Sequence, residues 1–162
     1  MDRLPVKSRL RSARPAGEPT GQPLGPLLSR ASRAFDAEVH GRLVALGYDD
    51  VRVAHGAVFA RLDPAGATVA DLARRAGMTK QAMGELVDDL EAKGYLRRVP
   101  DPRDARAKLV RLTASGERHV ADARQVLAAV ERDIGRRLGA RRLRDLRGIL
   151  RSIATDAVRT AS

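Results

Sequence analysis

The chain has 162 residues, 43% of them hydrophobic but only 2% aromatic, a length for one domain with or without a dimerisation extension and a composition for a helical core of Leu, Val, Ile and Ala. The absence of cysteine excludes disulfides, thiolate metal sites, thiol redox sensing and cysteine nucleophiles and fits a reducing cytoplasm, while the lack of an apolar leader, or of an apolar run near the roughly 18 residues of a membrane span, argues against secretion and membrane insertion. A formal charge of +11 at pH 7 points to a polyanionic partner, which charge alone leaves open between nucleic acid and an anionic membrane surface.

Residues 1–23 read as a disordered basic arm, because five of the eight prolines fall in the first 26 residues among Arg, Gly and Ser. From Leu24 to Leu46 apolar residues recur every three or four positions, which predicts a helix stopped by Gly47. Asp49 or Asp50 is expected to cap a second helix with the face Val51, Ala54, Val58 and Leu62, broken by Pro64 and Gly66. Thr68 opens a short third helix, with Asp71 in the place of the usual capping-box glutamate, and Gly77 ends it. Thr79 caps a fourth helix directly. Its predicted buried stripe is Met83, Leu86, Val87 and Leu90, and Gly94 closes it.

Two extended pieces, Leu96 to Pro100 and Lys108 to Leu112, flank the turn-rich Asp101-Pro102-Arg103-Asp104 and predict a β-hairpin. Thr113 then caps a long fifth helix with the coiled-coil-like seam Val120, Ala123, Leu127, Val130 and Ile134. After Gly139 a sixth helix carries Leu143, Leu146, Leu150, Ile153 and Ala157 at the same spacing.

Function is concentrated where the third and fourth helices meet. A short capped helix, a turn too tight for anything but Gly77 and Met78, and a second helix suggest a helix-turn-helix. With Met83, Leu86, Val87 and Leu90 inward, Lys80, Gln81 and Gly84 face outward. Lys80 suits guanine O6/N7 or a phosphate, and Gln81 suits adenine. Gly84 lets the helix come close to the bases, and Thr79 offers a helix-end N–H and a hydroxyl to a phosphate. The hairpin between residues 97 and 111 carries Arg97, Arg98, Arg103, Arg106, Lys108 and Arg111 against Asp101 and Asp104, which makes it a basic wing for backbone or minor groove. Phosphate would repel Asp104, which reads instead as the group that orients Arg106 or its neighbours.

The run from Thr79 to Tyr95, followed by Asp101-Pro102-x-Asp104-x-Arg106 and Leu112-Thr113-x-x-Gly116, resembles the recognition helix, wing and following helix of MarR-family regulators. The resemblance covers about residues 24–158 and is strongest over 68–118. It implies a mainly α fold with a small β-wing: a winged helix-turn-helix core over 48–113, an N-terminal dimerisation helix over 24–47 and C-terminal dimerisation helices over 114–160. It further implies a homodimer on a near-palindromic operator in double-stranded DNA. In such a repressor a small, often phenolic, effector between the dimer helices and the DNA-binding lobe releases the DNA. On that pattern Arg106 enters the minor groove and Asp104 braces it. Arg103 and Lys108 complete the expected DNA-binding set with Thr79, Lys80, Gln81 and Gly84. The four aromatics, Phe35, Tyr48, Phe59 and Tyr95, are few for a stacking ligand pocket.

No cofactor, metal site or catalysis is expected. His40, His55 and His119 fall on three different helices with no ligand-like pair spacing. Asp88 and Asp89 point apart on their helix and suit ion pairs, and Ser115 has no nucleophile-elbow context. The basic run from Arg136 to Arg151 suits a solvated or dimer-facing surface. Two rival readings remain beside a sequence-specific regulator: a non-specific architectural DNA-binding protein and a winged-helix protein-interaction module.

Overall fold

The computed structural model describes residues 21–160, with the side chains of residues 105 and 156–160 left out. The arm read over residues 1–23 therefore lies almost wholly outside the described residues. Six α-helices and one hairpin follow in chain order: α1 (Leu24–Val44), α2 (Gly56–Phe59), α3 (Val69–Ala76), α4 (Lys80–Ala92), β1 (Leu96–Asp101), β2 (Asp104–Leu112), α5 (Ala114–Leu138) and α6 (Ala140–Thr160). The fold is mainly helical with a two-stranded antiparallel wing. No described helix is long and apolar enough to cross a membrane.

Three helices end alike. In each a glycine takes the left-handed conformation and the next residue returns its N–H five positions back: Tyr48 to Leu43 O at 3.1 Å, Met78 to Ala73 O at 3.0 Å and Tyr95 to Leu90 O at 2.9 Å. Each reversal turns a large side chain into the interior, where Tyr95 is buried and Tyr48 and Met78 pack against the core. At the α3–α4 junction, Gly77 (φ 64°) and the Thr79 cap are separated by Met78 alone. The hydroxyls of Thr68, Thr79 and Thr113 accept N–H bonds from Asp71, Ala82 and Gly116 and so start α3, α4 and α5.

The second helix departs from expectation. Residues 53–55 form a 3₁₀ turn that runs into α2, a single turn of α-helix, and neither Asp49 nor Asp50 caps it. The Arg52 N–H bonds His55 Nδ1 at 3.0 Å instead, and the Asp50 carboxylate accepts from the Tyr95 hydroxyl at 2.9 Å. Asp50 is thus used across the fold rather than along its own segment.

One core holds the lobe formed by α2, α3, α4 and the wing. Val58, Leu72, Met83, Val87, Leu90 and Val110 are wholly inaccessible in it. The β1–β2 register pairs Leu96 with Leu112 and Val99 with Leu109, and an Ala67–Val110 bridge ties the wing to the start of α3. β2 begins at Asp104, earlier than the hairpin pattern indicates, because the reversal is confined to the four residues after Pro100. Gly116 sits at the joint between wing and α5, where a Cβ would collide with the Tyr95 carbonyl oxygen and crowd Leu112. That contact is the physical reason for a glycine three residues after Thr113.

A smaller cluster, Leu43, Val126 and Val130 with Phe35, Val39, Ala123 and Ile134 around it, joins α1 to α5. Within the predicted α5 seam, Val130, Ala123 and Ile134 face α1. Val120 and Leu127 turn instead to a cavity, and Val126 takes the buried place.

Candidate nucleic-acid interface

Helix α4 has two unlike sides. Met83, Leu86, Val87 and Leu90 are buried, whereas Thr79, Lys80 and Gln81 at its start are exposed. Gln81 donates to Glu85 at 3.2 Å, an exposed bond that a base edge can replace. Gly84 has open space where a side chain would stand, so nothing of the protein's own blocks close approach there. The helix N-terminus adds unsatisfied N–H groups beside Thr79, whose hydroxyl already serves Ala82.

The six basic wing residues divide into two groups. Arg98 and Arg111 turn inward. Arg98 donates to Asp88 at 2.5 Å and to Glu91, both on α4, while Arg111 donates to the Ala65 carbonyl at 3.1 Å. These two fix the wing relative to the helix-turn-helix. Arg97, Arg103, Arg106 and Lys108 are exposed. Asp101 is buried at the hairpin tip and accepts from the Arg103 N–H at 2.9 Å and from its guanidinium at 3.3 Å, which together hold its carboxyl below the usual range. Asp104 accepts the Arg106 N–H at 2.9 Å. It therefore orients the Arg106 backbone, leaving the guanidinium free to project from the tip.

Behind the interface lies a network of which sequence reading gave only the ion pairing of Asp89. Asp89 accepts at one oxygen from Arg52 (2.7 Å), Lys93 (2.8 Å) and His55 Nε2 (3.0 Å). The Lys93 and Arg52 bonds pull its carboxyl down to about 2. His55 is wholly buried; because its Nδ1 accepts from Arg52, its Nε2 carries the hydrogen toward Asp89. Burial, reinforced by Arg52 and Lys93, pushes the His55 pKa down. His119 is also buried and pushed down by burial, and its Nδ1 finds no partner among the described residues. Its ring lies 4.6 Å from those of Tyr48 and Phe59 and 5.7 Å from that of Tyr95. The Tyr48 hydroxyl donates to Asp122 at 2.6 Å. The sequence signal for these tyrosines is that each directly follows a helix-stopping glycine. Nothing in the spacing of the histidines marks them as buried, since their cover comes from other segments.

A cavity of about 760 Å³ opens between α1, the α2 segment and α5. Phe35 and Phe59 line it and His119 forms part of its wall, while Tyr48 and Tyr95 pack on the His119 ring without lining the cavity. Among the described residues no three His, Cys, Asp or Glu side chains converge as a metal site would require.

CouR from Rhodococcus jostii RHA1, solved with p-coumaroyl-CoA, is 30% identical to this chain, with 80% of this chain and 90% of that one covered and a TM-score of 0.65. A family model described as the MarR family matches residues 50–107, the stretch that holds the helix-turn-helix and the wing tip. The chain belongs to the MarR family of transcriptional regulators. A mutant Escherichia coli MarR solved with operator DNA is 25% identical and has a TM-score of 0.69, with 81% of this MarR-family chain and 93% of that one covered. The curated relative ExpG of Rhizobium meliloti, an exopolysaccharide II synthesis transcriptional activator, is 28% identical over 109 residues. That match covers 67% of this chain and 56% of ExpG, so the chain spans about half the length of this curated relative.

Proposed function

We propose that this MarR-family chain is a homodimeric regulator that binds a near-palindromic operator in double-stranded DNA and is released by a small-molecule effector. The observation that carries the reading is the two-sided α4. Its exposed Thr79, Lys80, Gln81 and open Gly84 stand opposite a fully buried stripe, and the wing beside it projects Arg106. A helix with this division inserts its N-terminal end into the major groove while the wing grips backbone or minor groove. Lys80, Gln81 and Gly84 would set sequence preference, and Thr79, Arg103, Arg106 and Lys108 affinity, with Asp104 as wing support.

The dimer reading rests on the ends of the chain. Leu24 and Ile149 are 59% and 58% exposed, and Leu146, Leu150 and Ile153 also present apolar surface to solvent. A second copy would cover these faces. We accordingly divide the chain into a dimerisation helix over 24–47, a DNA-binding core over 48–113 and C-terminal dimerisation helices over 114–160. The reading assigns no catalysis and a cytoplasmic location. CouR, named a transcriptional repressor in its complex with a 23-mer duplex, and ExpG, named an activator, differ in the sign of regulation. We favour repression, by occlusion of the operator.

Selection of bound duplexes from a random pool tests the proposal. An enriched inverted repeat, with half-sites about one helical turn (~34 Å) apart, is expected. Equal binding of all duplexes would favour an architectural protein, and no duplex binding at all would favour a protein-interaction module.

A further inference from the structure

Helix α4 carries four acids, Glu85, Asp88, Asp89 and Glu91, and three of them serve the fold. Asp88 and Glu91 hold Arg98 of the wing, and Asp89 holds Arg52, Lys93 and His55. Glu85 is exposed, and its sole polar partner among the described residues is the Gln81 amide, whose Nε2 donates to it at 3.2 Å. At 3.6 residues per turn, Gln81 and Glu85 stand roughly 160° and 200° around the axis from Met83. They therefore form the crest opposite the buried stripe, with Gly84 on its flank. A Cβ at Gly84 would meet nothing, so the backbone beside this crest can come close to a base edge.

The Gln81–Glu85 bond fixes what each group offers. A carboxylate only accepts, so the amide must turn its NH2 to Glu85. A base edge can replace this bond but need not break it. Gln81 keeps its carbonyl and a second N–H, the pair that suits adenine N6 and N7, and Glu85 keeps acceptor capacity with no donor. In the major groove the donors are the amino groups of adenine and cytosine, whereas guanine N7 and O6 and thymine O4 accept. Adenine N6 stands beside the N7 acceptor, which repels a carboxylate. Cytosine presents N4 with no acceptor of its own next to it.

We propose that Glu85 is a specificity-determining residue that accepts from the N4 amino group of a cytosine in the half-site, within about two base pairs of an adenine read by Gln81. This rests on the reading of α4 as the recognition helix and adds the base that its acid selects. The spacing follows from the helix, since four residues rise about 6 Å against about 3.4 Å per base pair. Selection works by penalty as much as by attraction. Facing cytosine, the carboxylate exchanges water for a charge-assisted bond. Facing guanine or thymine it is desolvated against acceptors, in the field of the phosphates, with nothing to offset the loss. Glu85 also braces the Gln81 amide, so its removal loosens the adenine preference as well.

The test selects bound duplexes from a random pool with the full-length protein, unmodified and as Glu85→Ala and Gln81→Ala. The position whose preference is lost in Glu85→Ala should be a cytosine in the unmodified protein's half-site, close to the adenine whose preference is lost in Gln81→Ala. By fluorescence anisotropy, replacing that cytosine and its complement with a thymine–adenine pair should weaken binding to the unmodified protein by roughly 5–150-fold and change Glu85→Ala little. Affinity of Glu85→Ala for random duplex should rise, because a negative charge has left the surface, an effect that a merely structural role would not produce. Replacing each half-site cytosine in turn by 2-pyrimidinone, which lacks the amino group, should weaken binding at one position by a similar factor, a readout that needs no variant to fold. If Glu85→Ala binds nothing, those duplexes decide. A lost preference at a base other than cytosine, no lost preference in Glu85→Ala, or 2-pyrimidinone duplexes all bound as tightly as the natural one would each overturn the inference and leave the DNA-binding reading standing. No enriched sequence from the unmodified protein would overturn both.

Discussion

The DNA-binding lobe and the terminal helices are built by opposite rules. In the lobe, short elements surround Leu72, Met83, Val87, Leu90 and Val110 until these are wholly inaccessible. In α1, a helix of 21 residues, Leu43 is the buried residue, and α6 leaves Leu146, Ile149, Leu150 and Ile153 substantially exposed. The contrast teaches that amphipathic periodicity and burial are different things. Both regions have the apolar spacing, but among the described residues only the lobe has partners on every side.

The largest effect expected from breaking this contrast is at Leu72. Leu72→Ala should destabilise the protein by about 2–5 kcal/mol in denaturant melts, since it leaves a cavity in a closed core. Ile149→Ala should leave the lobe's stability nearly unchanged and shift the monomer–dimer balance measured by sedimentation. Equal, concentration-independent losses from both changes would erase the distinction between the two regions. Gly116→Ala, at the joint between them, should cost about 1–3 kcal/mol as the wing and α5 are forced apart. Arg106→Ala should weaken operator binding by about 1–3 kcal/mol without moving the melting curve, because its side chain is exposed. Unchanged affinity at physiological salt would remove Arg106 from the interface.

A subtler effect is set by pH. His55 and His119 both have folded pKa values below their unfolded ones, so the native state binds fewer protons than the unfolded chain. Their contribution is therefore complete above about pH 6.5, the ordinary histidine value, and is lost as pH falls from there through the folded values. Melts taken between pH 7.5 and 5 should show the decline, and a variant with His55→Gln and His119→Gln should show a shallower one. An equal slope in both proteins would mean that other groups carry the acid sensitivity.

Much of the DNA-binding end is legible from residue order alone, because its signals are local. Thr79, the stripe from Met83 to Leu90 and the stop at Gly94 define a helix and its outward face within a few turns. The division of wing arginines is not legible. Arg97 and Arg98 are neighbours of identical chemistry, yet Arg98 meets Asp88 and Glu91 while Arg97 stays exposed. Only the packing of β1 against α4 separates them. The expected cap at Asp49 or Asp50 failed for the same reason: Tyr95, 45 residues away, claims the Asp50 carboxylate.

Residue order by itself determined where α3, α4 and α5 begin and which glycines stop α1, α3 and α4, which face of α4 is polar, and that a basic hairpin follows it. These depend on backbone capping and side-chain periodicity, which act over a few residues. Tertiary structure decided that His55 and His119 are buried, that three rings gather around one imidazole, and that Arg52 meets Asp89 on α4. Those outcomes depend on contacts between distant segments, and an arginine or histidine carries no local mark of which distant group it will meet.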